Sequence, residues 1–192
     1  MSIDLTPAAQ RLADLVAAVR DDQLGAPTPC PDYTVGDLLD HIGGLAVAFR
    51  EAAEKSGAEN PDGPPPGDVA NLAADWRTRI PADLAALGEA WRAPEAWEGV
   101  ARAGGIEMPG EIAGVVALEE VVVHGWDLAT ATGHDVAAAP EELEAVIGFF
   151  TSFPDEAREP GFGLAHPVPE DAPLLDRAVA LSGRDPDWAR TP

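Results

Sequence analysis

The chain has 192 residues, with 34 acidic side chains against 12 basic ones and a formal net charge of −22 at pH 7. Such a charge repels phosphate backbones and anionic lipid, which argues against nucleic-acid and membrane-surface binding. Its single cysteine, Cys30, excludes an intrachain disulfide framework. The N-terminus lacks the pattern of a signal peptide and no apolar run reaches about 20 residues, so a cytoplasmic protein is predicted.

The first two helices are predicted from apolar residues that recur at three-to-four spacing. One runs from about Leu5 to Arg20 and ends before the proline-rich segment "GAPTPCPD". Thr34 is the predicted N-cap of the second, and Asp37 stands where a capping box places its acid. This second helix is predicted to continue to about Lys55.

The next elements are a third helix, a hairpin and a fourth helix. The third helix is predicted from Asp68 to roughly Trp91, and Pro81 inside it predicts a kink or a break. In the following segment, "WEGVARAGGIEMPG", residue types alternate with the period of a strand on both sides of a Gly–Gly pair, which is compatible with a small β-hairpin. The fourth helix is predicted to start near Glu111, with Gly133 as its C-cap.

The stretch "EEVVVHGWDL" within the fourth segment is ambiguous, because consecutive valines are typical of a buried strand. Its apolar neighbourhood, 112–131, continues without a proline for about twenty residues, whereas strands usually have four to eight. Length therefore favours a helix. Shorter helices are predicted at 141–150 and 174–182. The pattern predicts an all-α, up-down four-helix bundle with short extra C-terminal helices.

Read as a helix, the fourth segment places Glu120 and His124 one turn apart on one face. A carboxylate that faces an apolar core needs a partner, and a divalent metal ion is one. His41 on the second helix could supply a third ligand from across the bundle, which would complete a two-histidine, one-carboxylate site. The alternatives are a solvated face or a local hydrogen bond between Glu120 and His124.

The neighbouring acids have other predicted roles. Glu119 is rotated by about 100° from Glu120 on a helix, so it is expected to face solvent or a partner helix. Asp127 lies three residues after His124 and could orient a ligand histidine or bind substrate. A surface acid is the alternative for Asp127.

Three further residues are of chemically reactive types. Cys30 lies in a proline-rich turn before the second helix, where a thiol can have a lowered pKa, but a packed small residue is the simpler interpretation. His134 is expected in an exposed position after the fourth helix, and His166 in a long loop. No role is assigned to any of the three.

Three segments carry a family resemblance: "PTPCPDYTVGDLLDHIGGL", "EEVVVHGWDLATATG" and "VPEDAPLLDRAVALSGRDPDW". They resemble the mycothiol-dependent maleylpyruvate isomerase family of actinobacteria, within the DinB/YfiT-like superfamily of metal-binding bundles. The resemblance implies one DinB-like domain over 1–192, with the bundle in about 1–152 and a tail in about 153–192. It also implies that His41, Glu120 and His124 are the metal ligands.

The resemblance implies a function as well. The metal would be Zn²⁺, with Ni²⁺, Fe²⁺ or Mn²⁺ also suited to these ligands. Mycothiol would be the co-substrate, and the protein a metal- and thiol-dependent transferase or isomerase that acts on a small electrophile as a monomer or homodimer. The alternative is a non-catalytic, metal-dependent small-molecule binding protein. The prototype isomerase carries an additional C-terminal domain where this chain has only a short tail. The resemblance therefore does not imply that maleylpyruvate is the substrate of this protein.

Overall fold

The computed structural model describes residues 2–31, 33–60, 65–154 and 162–189. Within these residues the chain forms six α-helices and one two-stranded antiparallel sheet. The elements are α1 (Thr6–Ala18), α2 (Val35–Ala53), α3 (Trp76–Ala90), β1 (Val100–Ala103), β2 (Ile106–Pro109), α4 (Gly110–Thr132), α5 (Pro140–Thr151) and α6 (Leu174–Leu181).

The first four helices form a bundle in which each packs mainly against two others. α1 contacts α3 and α4, and α2 contacts the same two helices from the other side. α5 packs on α4, and α6 packs on α5. The mostly helical fold with a small hairpin confirms the prediction of a helical bundle. None of the helices in the described ranges is long and apolar enough to span a membrane.

Helix α2 begins with the predicted capping box. The backbone N–H of Asp37 donates to Thr34 Oγ1 at 3.3 Å, and the backbone N–H of Thr34 donates to Asp37 Oδ2 at 2.9 Å. Each side chain thereby satisfies a backbone donor that the first helical turn leaves without a partner. The cap fixes where α2 starts and therefore which side chains of α2 face α4.

The prediction for the third helix was wrong at its start, and of the two outcomes predicted at Pro81, a kink or a break, the break does not occur. Residues 69–71 form a short 3₁₀ turn, and α3 begins only at Trp76. The backbone N–H of Ala70 donates to the Asp68 carboxylate at 2.8 Å, so the turn is closed by a side chain. α3 continues without interruption through Pro81, because the buried side chains of Ile80 and Leu84 hold both sides of it in the core.

The predicted hairpin is present before α4. Gly104 and Gly105 connect β1 to β2 and have φ angles of +57° and +86°. Two successive positive φ angles are typical of the tight hairpin turn that suits the twist of antiparallel strands, and glycine adopts them without strain. The pairing of Ala103 with Ile106 follows from this two-residue turn.

Helix α4 is the central element, and the valine-rich stretch is part of it. Val121, Val122 and Val123 are all buried, because α1, α2 and α5 cover α4 from several sides. Burial therefore explains three consecutive valines without a strand. Gly133 ends the helix in the left-handed conformation, with φ +77°, as predicted.

Two tryptophans connect the hairpin region to the bundle. Trp91 donates its indole N–H to the Phe49 carbonyl at 3.0 Å, and Trp97 donates to the Trp91 carbonyl at 2.8 Å. The ring of Trp97 lies directly over Gly114 of α4, where an added Cβ would be 2.4 Å from a ring carbon. A glycine at this position lets the indole pack against the helix backbone.

Candidate metal centre

The structure brings His41, Glu120 and His124 together between α2 and α4. His124 Nε2 lies 3.0 Å from Glu120 Oε2, and His41 Nε2 lies 3.7 Å from the same oxygen. The ligand atoms of all three side chains lie within 4.8 Å of one another. Bonds of about 2.0–2.2 Å to a shared metal ion require donors separated by at most about 4.4 Å, so small side-chain movements would suffice.

The two histidine rings meet edge to face. Their centroids are 4.8 Å apart with an interplanar angle of 82°. The i, i+4 spacing on α4 places Glu120 and His124 on one face, and α2 presents His41 to that face. A carboxylate between two imidazole nitrogens is a donor set that suits Zn²⁺ and other first-row divalent ions.

Asp127 lies behind His124 and is completely buried. His124 Nδ1 lies 3.0 Å from Asp127 Oδ2, which is a hydrogen bond. An ionised carboxylate only accepts, so the ring carries its proton on Nδ1 and leaves Nε2 for a metal. Bonds of this kind fix the orientation of metal-ligating histidines and raise their basicity. A surface position for Asp127 is therefore excluded by its burial.

A residue that sequence reasoning missed, Arg184, completes the surroundings of Asp127. Its Nη2 atom donates to Asp127 Oδ2 at 3.2 Å and to the Cys30 thiol at 3.5 Å. Arg184 follows α6 and is 57 residues from Asp127, so no periodicity or local motif connects the two. The only sequence signal was its place in the third segment of the family resemblance.

Of the two positions predicted for Glu119, solvent or a partner helix, the structure shows the second: the side chain is buried among neighbouring helices. Its side chain is 2% exposed, and Oε2 has no hydrogen-bond partner among the described residues. The reason is that neighbouring helices cover α4 on more than one side. Burial, and then the negative charge of Glu120, raises the pKa of Glu119 to about 8.

The site shifts the pKa values of Glu120 and His124 in opposite directions. Burial raises the pKa of Glu120, but the hydrogen bond from His124 and the His41 imidazole at 3.7 Å outweigh it and hold that pKa well below its usual range. Burial lowers the pKa of His124, but the hydrogen bonds to Asp127 and Glu120 outweigh this and raise it to about 9. The metal-free site therefore favours an imidazolium between carboxylates.

Of the other three candidates, His134 and His166 lie away from the centre, and Cys30 has a thiol that resists ionisation. Cys30 is partly buried near Arg184, and burial raises the pKa of its thiol to about 11. His134 is exposed beyond α4, where it contacts the Thr132 hydroxyl. His166 is an exposed loop residue beside a surface groove. Cys30 forms a second group with His124 and Asp127, whose ligand atoms also lie within 4.8 Å of one another, whereas His134 and His166 join neither group in the described part of the chain.

Known proteins resemble this chain at the levels of sequence and fold. Uncharacterized protein Rv0738 of Mycobacterium tuberculosis strain H37Rv is 33% identical over 176 residues, which are 90% of this chain and 91% of the relative. Uncharacterized protein MT0763 of strain CDC 1551 gives the same values.

Solved structures share the fold. The crystal structure of the mycothiol-dependent maleylpyruvate isomerase has a TM-score of 0.58 and 20% identity. A crystal structure of a histidine-to-alanine mutant of that isomerase has a TM-score of 0.59. Each match covers 77% of this chain and 66% of the solved one, so the chain spans just under two thirds of the solved isomerase.

The family is identified by a sequence match over most of the bundle. The family model of the mycothiol maleylpyruvate isomerase N-terminal domain matches residues 5–129, which include α1 to α3, the hairpin and most of α4. Its limits enclose all three candidate ligands, His41, Glu120 and His124. The chain therefore belongs to the mycothiol maleylpyruvate isomerase N-terminal domain family.

Proposed function

We propose that His41, Glu120 and His124 bind a divalent metal ion, with Zn²⁺ as the first candidate. The convergence of three donor atoms within 4.8 Å is the observation that carries the proposal. The hydrogen bond from His124 to Asp127 supports it, because it holds the ring with Nε2 directed at Glu120. Ni²⁺, Fe²⁺ and Mn²⁺ suit the same donors.

The proposed activity is a thiol-dependent transfer to, or isomerisation of, a small electrophile, with mycothiol as the thiol. The family membership supports the thiol, since its name refers to a mycothiol enzyme. A bound metal ion of this kind lowers the pKa of a coordinated thiol or water and so supplies a nucleophile at neutral pH.

The residues of the chain have separate roles in this proposal. His41, Glu120 and His124 bind the metal through one atom each. Asp127 holds the proton on His124 Nδ1, and Arg184 fixes Asp127 through the contact of 3.2 Å. Because Asp127 is buried, it orients the histidine and does not meet the substrate.

The same contact supports a proposal about domain organisation. We propose that residues 1–192 form one domain, with the bundle in about 1–152 and a tail in about 153–192. Arg184 of the tail contacts Asp127 of α4, and α5 lies between α4 and α6. The tail would then be part of the site and not a separate appendage.

The metal centre is tested by the metal content of the purified protein. Wild type and a His134→Ala control, which changes an exposed histidine, should each bind about one equivalent of Zn²⁺. His124→Ala should bind little under the same conditions. Equally low metal content in wild type and His124→Ala would contradict the metal centre.

The activity needs a separate experiment. The metal-loaded protein should consume mycothiol together with an electrophile such as a maleyl compound or an epoxide, and His124→Ala should not. Metal binding without turnover across such a panel would favour the alternative function, a non-catalytic small-molecule binding protein.

A further inference from the structure

The two histidines of the candidate centre are held in different ways. His124 has a hydrogen bond from Nδ1 to Asp127, whereas no hydrogen bond to Nδ1 of His41 occurs within the described part of the chain. The His41 ring instead contacts the Tyr33 ring, with centroids 5.5 Å apart at 52°, and the His124 ring. In the described part of the chain, the His41 ring is therefore oriented by packing together with the Nε2 contact to Glu120 at 3.7 Å.

A short segment crosses α2 beside His41 and is fixed by three consecutive backbone donors. The N–H of Gly67 donates to the Tyr33 hydroxyl at 2.9 Å. The next two N–H groups, those of residues 68 and 69, donate to the carboxylates of Asp40 at 3.1 Å and Asp37 at 2.8 Å. We call residues 67–69 the strap. Its acceptors come from positions one, four and eight residues before His41.

The strap lies so close to α2 that only glycine fits at its first position. A Cβ added to Gly67 would be 2.2 Å from the Asp37 carbonyl oxygen and 3.0 Å from His41 Cβ. The nearest of these atoms is helix backbone, which cannot rotate away as a side chain does. The strap thus touches the turn of α2 that carries His41.

Tyr33 connects the strap to the imidazole. Its backbone carbonyl accepts from the Thr28 hydroxyl at 2.9 Å, and its own hydroxyl accepts from Gly67, so both ends of the residue are fixed. The ring between these two ends packs against His41. A tyrosine held in this way restricts the rotation of the histidine, which is 24% exposed.

We propose that Tyr33 and Gly67 are positioning residues for His41, and that the strap is the structural support of this metal ligand. The inference rests on the proposed metal centre. In this proposal, packing orients the His41 ring as the hydrogen bond to Asp127 orients the His124 ring. Loss of the groups that orient metal ligands typically weakens metal binding by about 10–100-fold, because the ligand must then be ordered when the metal binds.

The test is cobalt binding to the purified full-length protein, since Co²⁺ replaces Zn²⁺ and reports ligand geometry through its visible spectrum. The variants are Tyr33→Leu, Tyr33→Phe and Gly67→Ala. The matched control is Gly44→Ala on the same helix, where an added Cβ meets no atom within 4 Å. Thermal unfolding of each variant shows whether it folds.

We expect Tyr33→Leu and Gly67→Ala to weaken Co²⁺ binding by about 10-fold or more and to change the spectrum. Tyr33→Phe keeps the ring and loses the hydroxyl, so its affinity should lie between those of Tyr33→Leu and wild type. Gly44→Ala should bind as wild type does. If Gly67→Ala fails to fold, the two tyrosine variants decide the question.

Two failures can be told apart. A wild-type protein that binds no Co²⁺ overturns the metal centre, and the positioning role with it. A wild-type protein that binds Co²⁺, together with variants of unchanged affinity and spectrum, overturns the positioning role and leaves the metal centre in place.

Discussion

His124 is hydrogen-bonded through Nδ1 to Asp127, a carboxylate with no exposed surface, at 3.0 Å. The bond leaves Nε2 directed toward Glu120 and His41. A buried carboxylate in this position makes the imidazole a better metal ligand and prevents the ring from turning.

Asp127→Asn keeps an acceptor for His124 and removes the negative charge. We expect the affinity for Zn²⁺ to fall by about 10–100-fold, because the imidazole becomes less basic and Arg184 loses its charged partner. Competition with a chelator measures the change. Asp135→Asn, an exposed acid beyond α4, is the control and should bind as wild type does. Equal affinity of the two variants would contradict the role of Asp127.

Metal binding is expected to release a proton. In the metal-free protein the pKa of His124 is raised to about 9, so the ring is an imidazolium at pH 7.5. A metal ion must displace the Nε2 proton. Zinc affinity should therefore rise with pH up to about 9. Calorimetry in two buffers of different ionisation enthalpy counts the released protons; no release at pH 7.5 would contradict the prediction.

The same shift predicts how the stability of the metal-free protein changes with pH. Because the pKa of His124 is higher in the folded than in the unfolded state, protonated His124 stabilises the fold. Its full contribution to the free energy of unfolding is present below about pH 6.5, the pKa of unfolded histidine. The contribution is lost as pH rises from there through about 9. Urea unfolding of wild type and His124→Ala at pH 6.0 and 9.5 should show a difference that shrinks at the higher pH. A constant difference would contradict it.

The three side chains that the structure brings together at the candidate centre are those that the sequence indicated, because local helix geometry determines their placement. A four-residue spacing on a helix places Glu120 and His124 on the same face. The cap at Thr34 sets the start of α2 and so determines on which face of α2 His41 lies. For Glu119 the sequence left solvent and a partner helix open, because an isolated helix does not show how many neighbours will cover it.

Two features of the structure were not predicted, and one of them depends on a long-range contact. Arg184 reaches Asp127 from another part of the chain, so only the folded structure reveals it. The late start of α3 has a local cause: the turn at residues 69–71 ends at Leu72, whose extended backbone (ψ 112°) interrupts any helix that begins at Asp68.

Cys30 is expected to be slow to react in the folded protein. Burial raises the pKa of its thiol to about 11, so little thiolate exists at pH 8. Alkylation by iodoacetamide at pH 8 should be much slower in the folded protein than in urea. Equally fast alkylation would show that Cys30 is accessible and ionised. Cys30→Ala should retain metal binding, since the thiol is not one of the three ligands.

Gly114 and Gly125 form a matched pair on α4. An added Cβ at Gly114 would meet the Trp97 ring at 2.4 Å, whereas one at Gly125 meets no atom within 4 Å. Gly114→Ala should lower the free energy of unfolding by about 1–3 kcal/mol, because the indole must move. Gly125→Ala should leave it unchanged or raise it by up to about 1 kcal/mol. Urea unfolding measures both, and equal effects would show that Trp97 tolerates the methyl group.

The contact of Arg184 with Asp127 has an evolutionary consequence. The family match ends at residue 129, so the guanidinium that contacts the buried carboxylate comes from outside the matched region. Asp127 thus has one partner, His124, inside the matched region and a second, Arg184, beyond it. A relative with a different C-terminal segment is expected to lack this second partner unless the new segment supplies a cation. The two ends of such proteins are thus expected to change together.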